Sequence, residues 1–105
     1  MTDRSNRTRK VGNPKVIRIA AIRTDPPHSD DTSHIVRVQW FEPSGTPREG
    51  PSSAVAKWIS DGNDAYLLSG RRRIGIDTYR LDGRSCLYTL TKNSRRDDLL
   101  RLPRY

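Results

Sequence analysis

The sequence predicts a small α+β domain, in which one short helix packs on a strongly bent antiparallel sheet of about five strands. Most segments between turn residues alternate or are rich in β-branched residues, both typical of strands. Only one segment has apolar residues at helical spacing. The 105 residues, 32% of them hydrophobic, allow one domain with a small core. We expect residues 1–13 to form a disordered basic tail and residues 14–105 to form the domain.

The first two strands are predicted at residues 15–24 and 34–42, paired as a long hairpin. KVIRIAAIRT has apolar side chains on both faces, with Ile19 on one and Ile22 on the other, so it is expected at the centre of the sheet. HIVRVQWFE alternates, which predicts three side chains facing the core: Val36, Val38 and Trp40. Residues 25–33 and 43–53 are rich in proline and other turn residues and are predicted to be loops.

The helical signal covers residues 53–63, SAVAKWISDGN. Its apolar residues recur at the spacing of one helix face, at Val55, Trp58 and Ile59. We expect Ser52 or Ser53 to cap the first turn by accepting a backbone N–H bond. Gly62 is expected to end the helix in the left-handed conformation.

Three further strands are predicted at residues 64–70, 73–81 and 84–91. Asp82-Gly83 predicts a tight hairpin turn between the last two, because both residue types adopt positive φ readily. The predicted order is therefore β-β-α-β-β-β.

The segment DDLLRLPRY, residues 97–105, combines two acids with three leucines. Asp97 and Asp98 are expected to cap a short helical turn, because acids are favoured at helix N-termini. Pro103 stops that turn. The apolar residues of the segment are Leu99, Leu100 and Leu102. They are predicted to dock on the sheet and close the core, and the alternative is a peptide that binds a partner.

The chain resembles a family of small bacterial domains catalogued only as a domain of unknown function. The resemblance covers roughly residues 16–105 and rests on IRIAAIRTD, V-x-W, WISDGN, Y-x-L and above all the C-terminal D-[ND]-L-L-x-L-P motif. The family usually has Asn where this chain has Asp98, and a shorter connection between the first two strands. The resemblance implies a fold unit, without an activity, cofactor or site residue.

The sequence patterns of common catalytic and cofactor sites are missing. There is no G-x-S-x-G elbow and no G-x-x-x-x-G-K-[ST] phosphate loop, and Cys86 has no histidine near it in sequence. His28 and His34 flank two aspartates, Asp30 and Asp31, which is weak support for a metal site. We therefore predict no enzymatic activity, no cofactor and no metal.

Two further features concern the cellular setting. The lone Cys86, expected to be a small buried residue, excludes an intramolecular disulfide framework. No apolar run is long enough for a signal peptide or a membrane span, so the sequence favours a cytoplasmic protein with no membrane partner.

The net charge of +8 is unevenly distributed along the chain. Residues 25–64 have seven acids and three bases, whereas residues 65–105 have ten bases and four acids. The basic residues that we consider candidates for phosphate contact are Arg7, Arg9, Lys10, Arg71, Arg72, Arg73, Arg95 and Arg96. Arginine forks suit phosphate oxygens, and basic clusters are typical of nucleic-acid-binding proteins.

These clusters predict a non-catalytic module that binds DNA or RNA electrostatically and without sequence specificity. Three tyrosines could stack bases if a sheet face exposes them, although core packing is the alternative: Tyr66, Tyr79 and Tyr88. The competing function is a protein-interaction module that uses the helix face and residues 97–105. The arginines also have a simpler interpretation, as a solvated surface that maintains solubility.

Overall fold

The computed structural model describes residues 15–90 and 97–105, and within them it contains six strands and one α-helix. The strands are β1 (Val16–Thr24), β2 (Ile35–Phe41), β3 (Pro47–Pro51), β4 (Asp64–Ser69), β5 (Arg72–Leu81) and β6 (Arg84–Thr89). Helix α1 (Ser52–Ser60) follows β3, and two 3-10 helices occupy Thr32–His34 and Asp98–Arg101. The small α+β fold is confirmed, with six strands where about five were expected. The predicted disordered tail, residues 1–13, lies outside the described residues.

All six strands belong to one sheet, in the order β3-β2-β1-β4-β5-β6. Neighbours are antiparallel except for β1 and β4, which run parallel, so the sheet is mixed rather than antiparallel throughout. The parallel pair follows from the connectivity. β3 runs in the same direction as β1, because both are antiparallel to β2, and the crossover through α1 returns the chain in that direction. β1 lies at the centre of the sheet, as predicted.

Strand β3 lies in the segment that was predicted to be a loop. Its sequence, PREGP, has a proline at each end, which would interrupt a central ladder. β3 is an edge strand that pairs only with β2, from Phe41 opposite Pro47 to Arg37 opposite Pro51. The prolines are tolerated because an edge strand needs backbone bonds on one side alone.

Two register shifts between β1 and β2 alter the predicted alternation. Ala20 is the extra residue on β1, and Val36 is the extra residue on β2. A bulge of this kind reverses which face the following residues occupy. Val36 is therefore exposed instead of facing the core, while Ile22 joins Ile19 in the core cluster.

Helix α1 occupies the predicted position but lacks the predicted serine cap. Pro51, not Ser52 or Ser53, is the N-cap residue and makes no side-chain capping bond. The Ser52 hydroxyl instead donates to the carbonyl of Ile35, 2.8 Å away, which ties the helix start to β2. Gly62 ends the helix with φ of +96°, as predicted.

Residues 97–105, the closing segment, close the core, which confirms that the leucines dock on the sheet. Leu99 and Leu100 are 0% and 4% exposed. The Asp97 carboxylate caps the second 3-10 helix by accepting the N–H of Leu99 at 2.9 Å. Its other oxygen accepts the N–H of Thr89 at 3.0 Å, so the same side chain fastens the segment to β6.

The closing segment also extends the sheet beside β1. β4 pairs with β1 only along residues 16–18. Beyond them, the N–H of Ile22 donates to the carbonyl of Pro103 at 2.9 Å, and the N–H of Tyr105 donates to the carbonyl of Ile22 at 3.1 Å. The segment thus provides backbone partners for the part of β1 that β4 leaves open.

The far half of the sheet curls around α1. β5 pairs with β4 along residues 72–75 and with β6 along residues 76–81. As a result both β2 and β6, which are far apart in strand order, contact the helix. The β5–β6 turn has positive φ at Asp82 and Gly83, as predicted for this dipeptide, and Cys86 is buried. No helix in residues 15–90 or 97–105 is long and apolar enough to cross a membrane.

Candidate nucleic-acid interface

The two faces of the sheet have different chemistry, which follows from alternation along each strand. The inner face is the one covered by α1, and its core residues include Ile17, Ala65, Leu67 and Ile74, which lie opposite one another in register. Side chains one position along each strand point to the opposite, outer face. That face carries arginine and aromatic residues, so it is the candidate site.

A row of planar side chains crosses four strands of the outer face. Phe41 on β2 lies opposite Arg18 on β1, and Arg18 is in turn the register partner of Tyr66 on β4. Arg73 on β5, the register partner of Leu68, lies diagonally across from Tyr66 and over its ring. The guanidinium carbon of Arg18 lies 4.7 Å from the centroid of Phe41, and that of Arg73 lies 4.3 Å from the centroid of Tyr66. We call these four residues the planar row.

A second group of side chains lies beside the row, over the closing segment. The guanidinium carbon of Arg23 is 4.6 Å from the ring centroid of Tyr105, and its Nε donates to the backbone oxygen of Tyr105 at 2.8 Å. The Tyr105 hydroxyl donates to Glu49 at 3.1 Å. Arg37 donates two hydrogen bonds to the Glu49 carboxylate, one from Nε to Oε2 and one from an Nη to Oε1 at 2.9 Å.

The charges of this second group perturb one another. The hydrogen bond from Arg37 is the main reason that the pKa of Glu49 falls to about 2. Burial, followed by the hydrogen bond to Glu49, raises the pKa of the Tyr105 hydroxyl. Glu49 is therefore ionised and committed to Arg37 at neutral pH.

The bulge at Ala20 is what brings both arginines of β1 to the outer face. Arg18 and Arg23 are five positions apart, so a regular strand would direct them to opposite faces. Arg23 instead lies opposite Arg37, which shares its face with Phe41 on an unbroken stretch of β2. The extra residue Ala20 reverses the alternation between them.

The predicted triple arginine is divided by the structure. Arg71 is exposed in the β4–β5 turn, and Arg72 and Arg73 are exposed at the start of β5. Because consecutive strand residues alternate, Arg73 joins the outer face and Arg72 points to the inner side, beyond the helix-covered core. The other predicted site residues are outside the described part of the chain: Arg7, Arg9, Lys10, Arg95 and Arg96.

The predicted tyrosines differ in their availability. Tyr66 is half-buried within the planar row. Tyr79 and Tyr88 pack edge to face with ring centroids 5.8 Å apart. Tyr79 also shares a hydrogen bond of 2.7 Å with Thr32, and burial raises the pKa of its hydroxyl. Of the three, Tyr66 is best placed to contact a ligand.

The histidine and aspartate loop has structural partners. Asp31 accepts hydrogen bonds from the N–H and hydroxyl of Ser33 and so caps the first 3-10 helix, and these bonds lower the pKa of Asp31. His34 Nδ1 lies 2.7 Å from the Ser29 hydroxyl. Among the residues that the structure describes, no group of three His, Cys, Asp or Glu side chains could hold a metal ion.

Sequence reasoning missed several residues of this surface, and four of them form two of its stacks of guanidinium groups on aromatic rings. Arg18, Arg23, Phe41 and Tyr105 are separated along the chain and belong to no cluster. One signal was available, since Arg18 interrupts an otherwise apolar central strand. The bulge that adds Arg23 to the same face has no sequence mark, because Ala20 is a residue that fits either arrangement.

A pocket on the inner side of the sheet provides a second candidate site. It has a volume of 530 Å³, and two tryptophans, Trp40 and Trp58, line it together with Val55 of α1. The indole N–H of Trp58 donates to the carbonyl of Asp64 at 3.0 Å, which holds its ring in place. Lys15 and Glu42 also line the pocket, and Glu42 is in an ion pair with Arg48.

Comparisons with protein-family models, with curated proteins and with solved structures found no match. The resemblance to a bacterial domain family therefore stays a prediction from the motifs.

Proposed function

We propose that this chain is a non-catalytic binding module that contacts nucleic acid phosphates through arginines of the outer face. One observation carries the proposal. Arg18, Arg23 and Arg73 each stack on an aromatic ring of that face, and in the described part of the chain none of them lies in an ion pair with an Asp or Glu. A stacked guanidinium uses its plane for the ring and keeps N–H donors at its edge for a phosphate.

The arrangement of charge supports this function. Arg37, a further arginine of the face, is already bound to Glu49, and the Nε of Arg23 is bound to the backbone oxygen of Tyr105. The remaining N–H donors of the stacked three are the ones available to a ligand. Residues 1–14 and 91–96 contribute seven of the 20 bases of the chain and one of its 12 acids. We expect these segments, with Arg7, Arg9, Lys10, Arg95 and Arg96, to add electrostatic attraction that does not depend on sequence.

The test compares Arg73 with its neighbour Arg72, which alternation along β5 directs to the opposite face of the sheet. Binding of fluorescently labelled duplex and single-stranded oligonucleotides is measured by anisotropy at two salt concentrations. A plot of the logarithm of the binding constant against the logarithm of the salt concentration is a falling line. Each phosphate contact adds about −0.9 to its slope for a duplex and about −0.7 for a single strand. Arg73→Ser should weaken binding to all sequences alike and reduce the slope by about one contact.

Arg72→Ser is the matched control, because it removes the same charge from the adjacent residue. We expect it to bind more tightly than Arg73→Ser. Equal losses from the two variants would show that only total charge matters and would remove the outer face as the site. No binding of either oligonucleotide by the wild type at low salt would refute the proposal as a whole.

The alternative is a protein-interaction module, and the tryptophan-lined pocket is what favours it. The pocket lies beside α1, where the helix-face interaction was expected. Leu99 and Leu100 are not available for such a role, since they are buried in the core. A Trp58→Ala variant that loses a partner while oligonucleotide binding is unchanged would support this alternative.

A further inference from the structure

We infer that the outer face selects single-stranded nucleic acid, whose bases stack on the planar row of Phe41, Arg18, Tyr66 and Arg73. This inference rests on the proposed function, because it concerns the ligand class of the same face. The inference gives the aromatic rings of the planar row a role in binding, whereas phosphate contacts require only the charge of the arginines.

The geometry of the row suits a chain of bases. Phe41, Arg18 and Tyr66 are direct neighbours on three adjacent strands, and strands lie about 4.8 Å apart. The row therefore presents successive planar groups along one direction, across the strands. Bases of single strands stack on aromatic rings and on guanidinium planes in this way. Beyond Tyr66, the row meets Gly75, whose missing side chain leaves space that Leu90 fills.

The exposure of the planar row also supports base stacking. Arg73 is exposed and lies over Tyr66, with one Nη 3.5 Å from the hydroxyl of that ring. The side of its guanidinium that faces away from the ring can receive a base, while its N–H edge binds a phosphate. Phe41 and Tyr66 are only half-buried, so their rings contribute apolar area to a surface that the described part of the chain leaves partly open.

A duplex would use only part of this surface. The planes of its bases are stacked inside the helix, so the rings of the row could not reach them, and only the arginines would contact phosphates. A single strand can satisfy both groups at once. The face carries Asp64 and Asp77 as well as Glu49, so charge alone gives it a weaker attraction for a duplex than an all-basic surface would have.

The experiment compares ring variants with charge variants on matched ligands. The probes are an oligothymidylate and an oligouridylate of roughly twelve nucleotides, and a duplex of the same length. Twelve lies within the range of about 4–16 nucleotides that one OB-fold domain occupies. The variants are Tyr66→Leu, which removes the ring, Tyr66→Phe, which keeps it, and Arg73→Lys, which keeps the charge but not the plane. Far-ultraviolet circular dichroism of each variant checks that the fold is intact.

We expect the single strands to bind more tightly than the duplex. Tyr66→Leu removes the ring on which the Arg73 plane lies. It should weaken single-strand binding at least about fivefold, the lower limit for losing one stacked base, without changing the salt slope. Arg73→Lys should weaken it too, because a lysine cannot stack. Tyr66→Phe should bind like the wild type.

Two outcomes overturn this inference and leave phosphate binding intact. One is equal affinity for duplex and single strands. The other is an unchanged single-strand affinity in Tyr66→Leu while Arg73→Ser still weakens it. An absence of binding to all three probes at low salt would instead remove the proposed function together with the inference.

Discussion

The inner and outer faces of the sheet are built from the same strands but carry out different tasks. On the inner face, Leu67 and Leu87 are 1% exposed and belong to the core cluster that includes Val55 and Ala56 of α1. On the outer face, arginines lie over half-buried rings, and no helix within residues 15–90 or 97–105 covers them. Neighbouring positions along one strand thus differ in burial, and a one-residue change of register would exchange them.

The difference teaches where stability and recognition reside in a small domain. Burial of the inner face supplies most of the free energy of folding, because apolar area removed from water is the dominant favourable term. The outer face contributes exposed stacks of about 0.5–1 kcal/mol each. Its residues can therefore change with little loss of stability, which leaves them free to serve a ligand. The four predictions that follow test this separation.

The largest effect is expected from the inner face, at Leu100. Leu100→Ala should lower the free energy of unfolding by about 2–5 kcal/mol, because it leaves a cavity where the closing segment fills the core. Chemical denaturation measures the loss. Leu81→Ala is the matched control, since Leu81 is 41% exposed and should change stability by about 0.5 kcal/mol or less. Similar losses at the two sites would contradict the assignment of the closing segment to the core.

A smaller loss is expected where the closing segment is fastened to β6. Asp97→Ala removes the cap of the 3-10 helix and leaves the N–H of the buried Thr89 without its acceptor. We expect a loss of about 2 kcal/mol, combining a helix cap with one unsatisfied buried donor. Asp97→Asn should lose about half as much, because an amide has one acceptor oxygen. Equal stability of the Asn and Ala variants would show that the charge of the carboxylate, and not the number of acceptor oxygens, determines the loss.

Arg73 on the outer face should affect binding much more than stability. Arg73→Ser removes an exposed stack on Tyr66, so the free energy of unfolding should change by less than about 1 kcal/mol. The same variant should bind oligonucleotides more weakly. The free energy of unfolding and the affinity for oligonucleotides are measured on one preparation of the variant. A large loss of stability would mean that the outer face is part of the structural core.

The smallest effect is expected from Glu49, an exposed carboxylate that solvent screens. Its pKa is lowered from 4.5 to about 2 in the folded protein, mainly by the Arg37 bond. The pair therefore stabilises the fold fully above pH 4.5, and this stabilisation disappears as the pH falls through about 2. NMR titration of the carboxyl group measures the pKa. In Arg37→Gln it should return towards 4.5, and a value that stays near 2 would assign the shift to another group.

The sequence was sufficient for the elements that local chemistry determines. The Asp82-Gly83 turn, the Gly62 helix end and the docking of Leu99 and Leu100 each follow from residue type and spacing, and the structure agrees. The small α+β fold with one helix follows from the spacing of apolar residues along the chain. Such features depend on a few neighbouring residues, so they can be inferred without knowing which strands meet.

The remaining features depend on contacts between distant segments. β3 is a strand only because β2 offers it an edge, and the parallel β1–β4 pair exists only because α1 crosses the sheet. The candidate site depends on both kinds of contact. Alternation alone would place Arg18 and Arg23 on opposite faces. The separation of Arg72 from Arg73 was missed because the strand was expected to begin at Arg73, whereas β5 begins at Arg72.

The backbone bond between Ile22 and Pro103 also provides a reporter of motion. The amide proton of Ile22 is held by the closing segment and by no neighbouring strand of the regular sheet, so it can exchange with solvent when that segment detaches. The amides that join β1 to β2 stay protected through such an opening. Hydrogen exchange at this one position therefore measures the free energy of local detachment, separately from that of global unfolding.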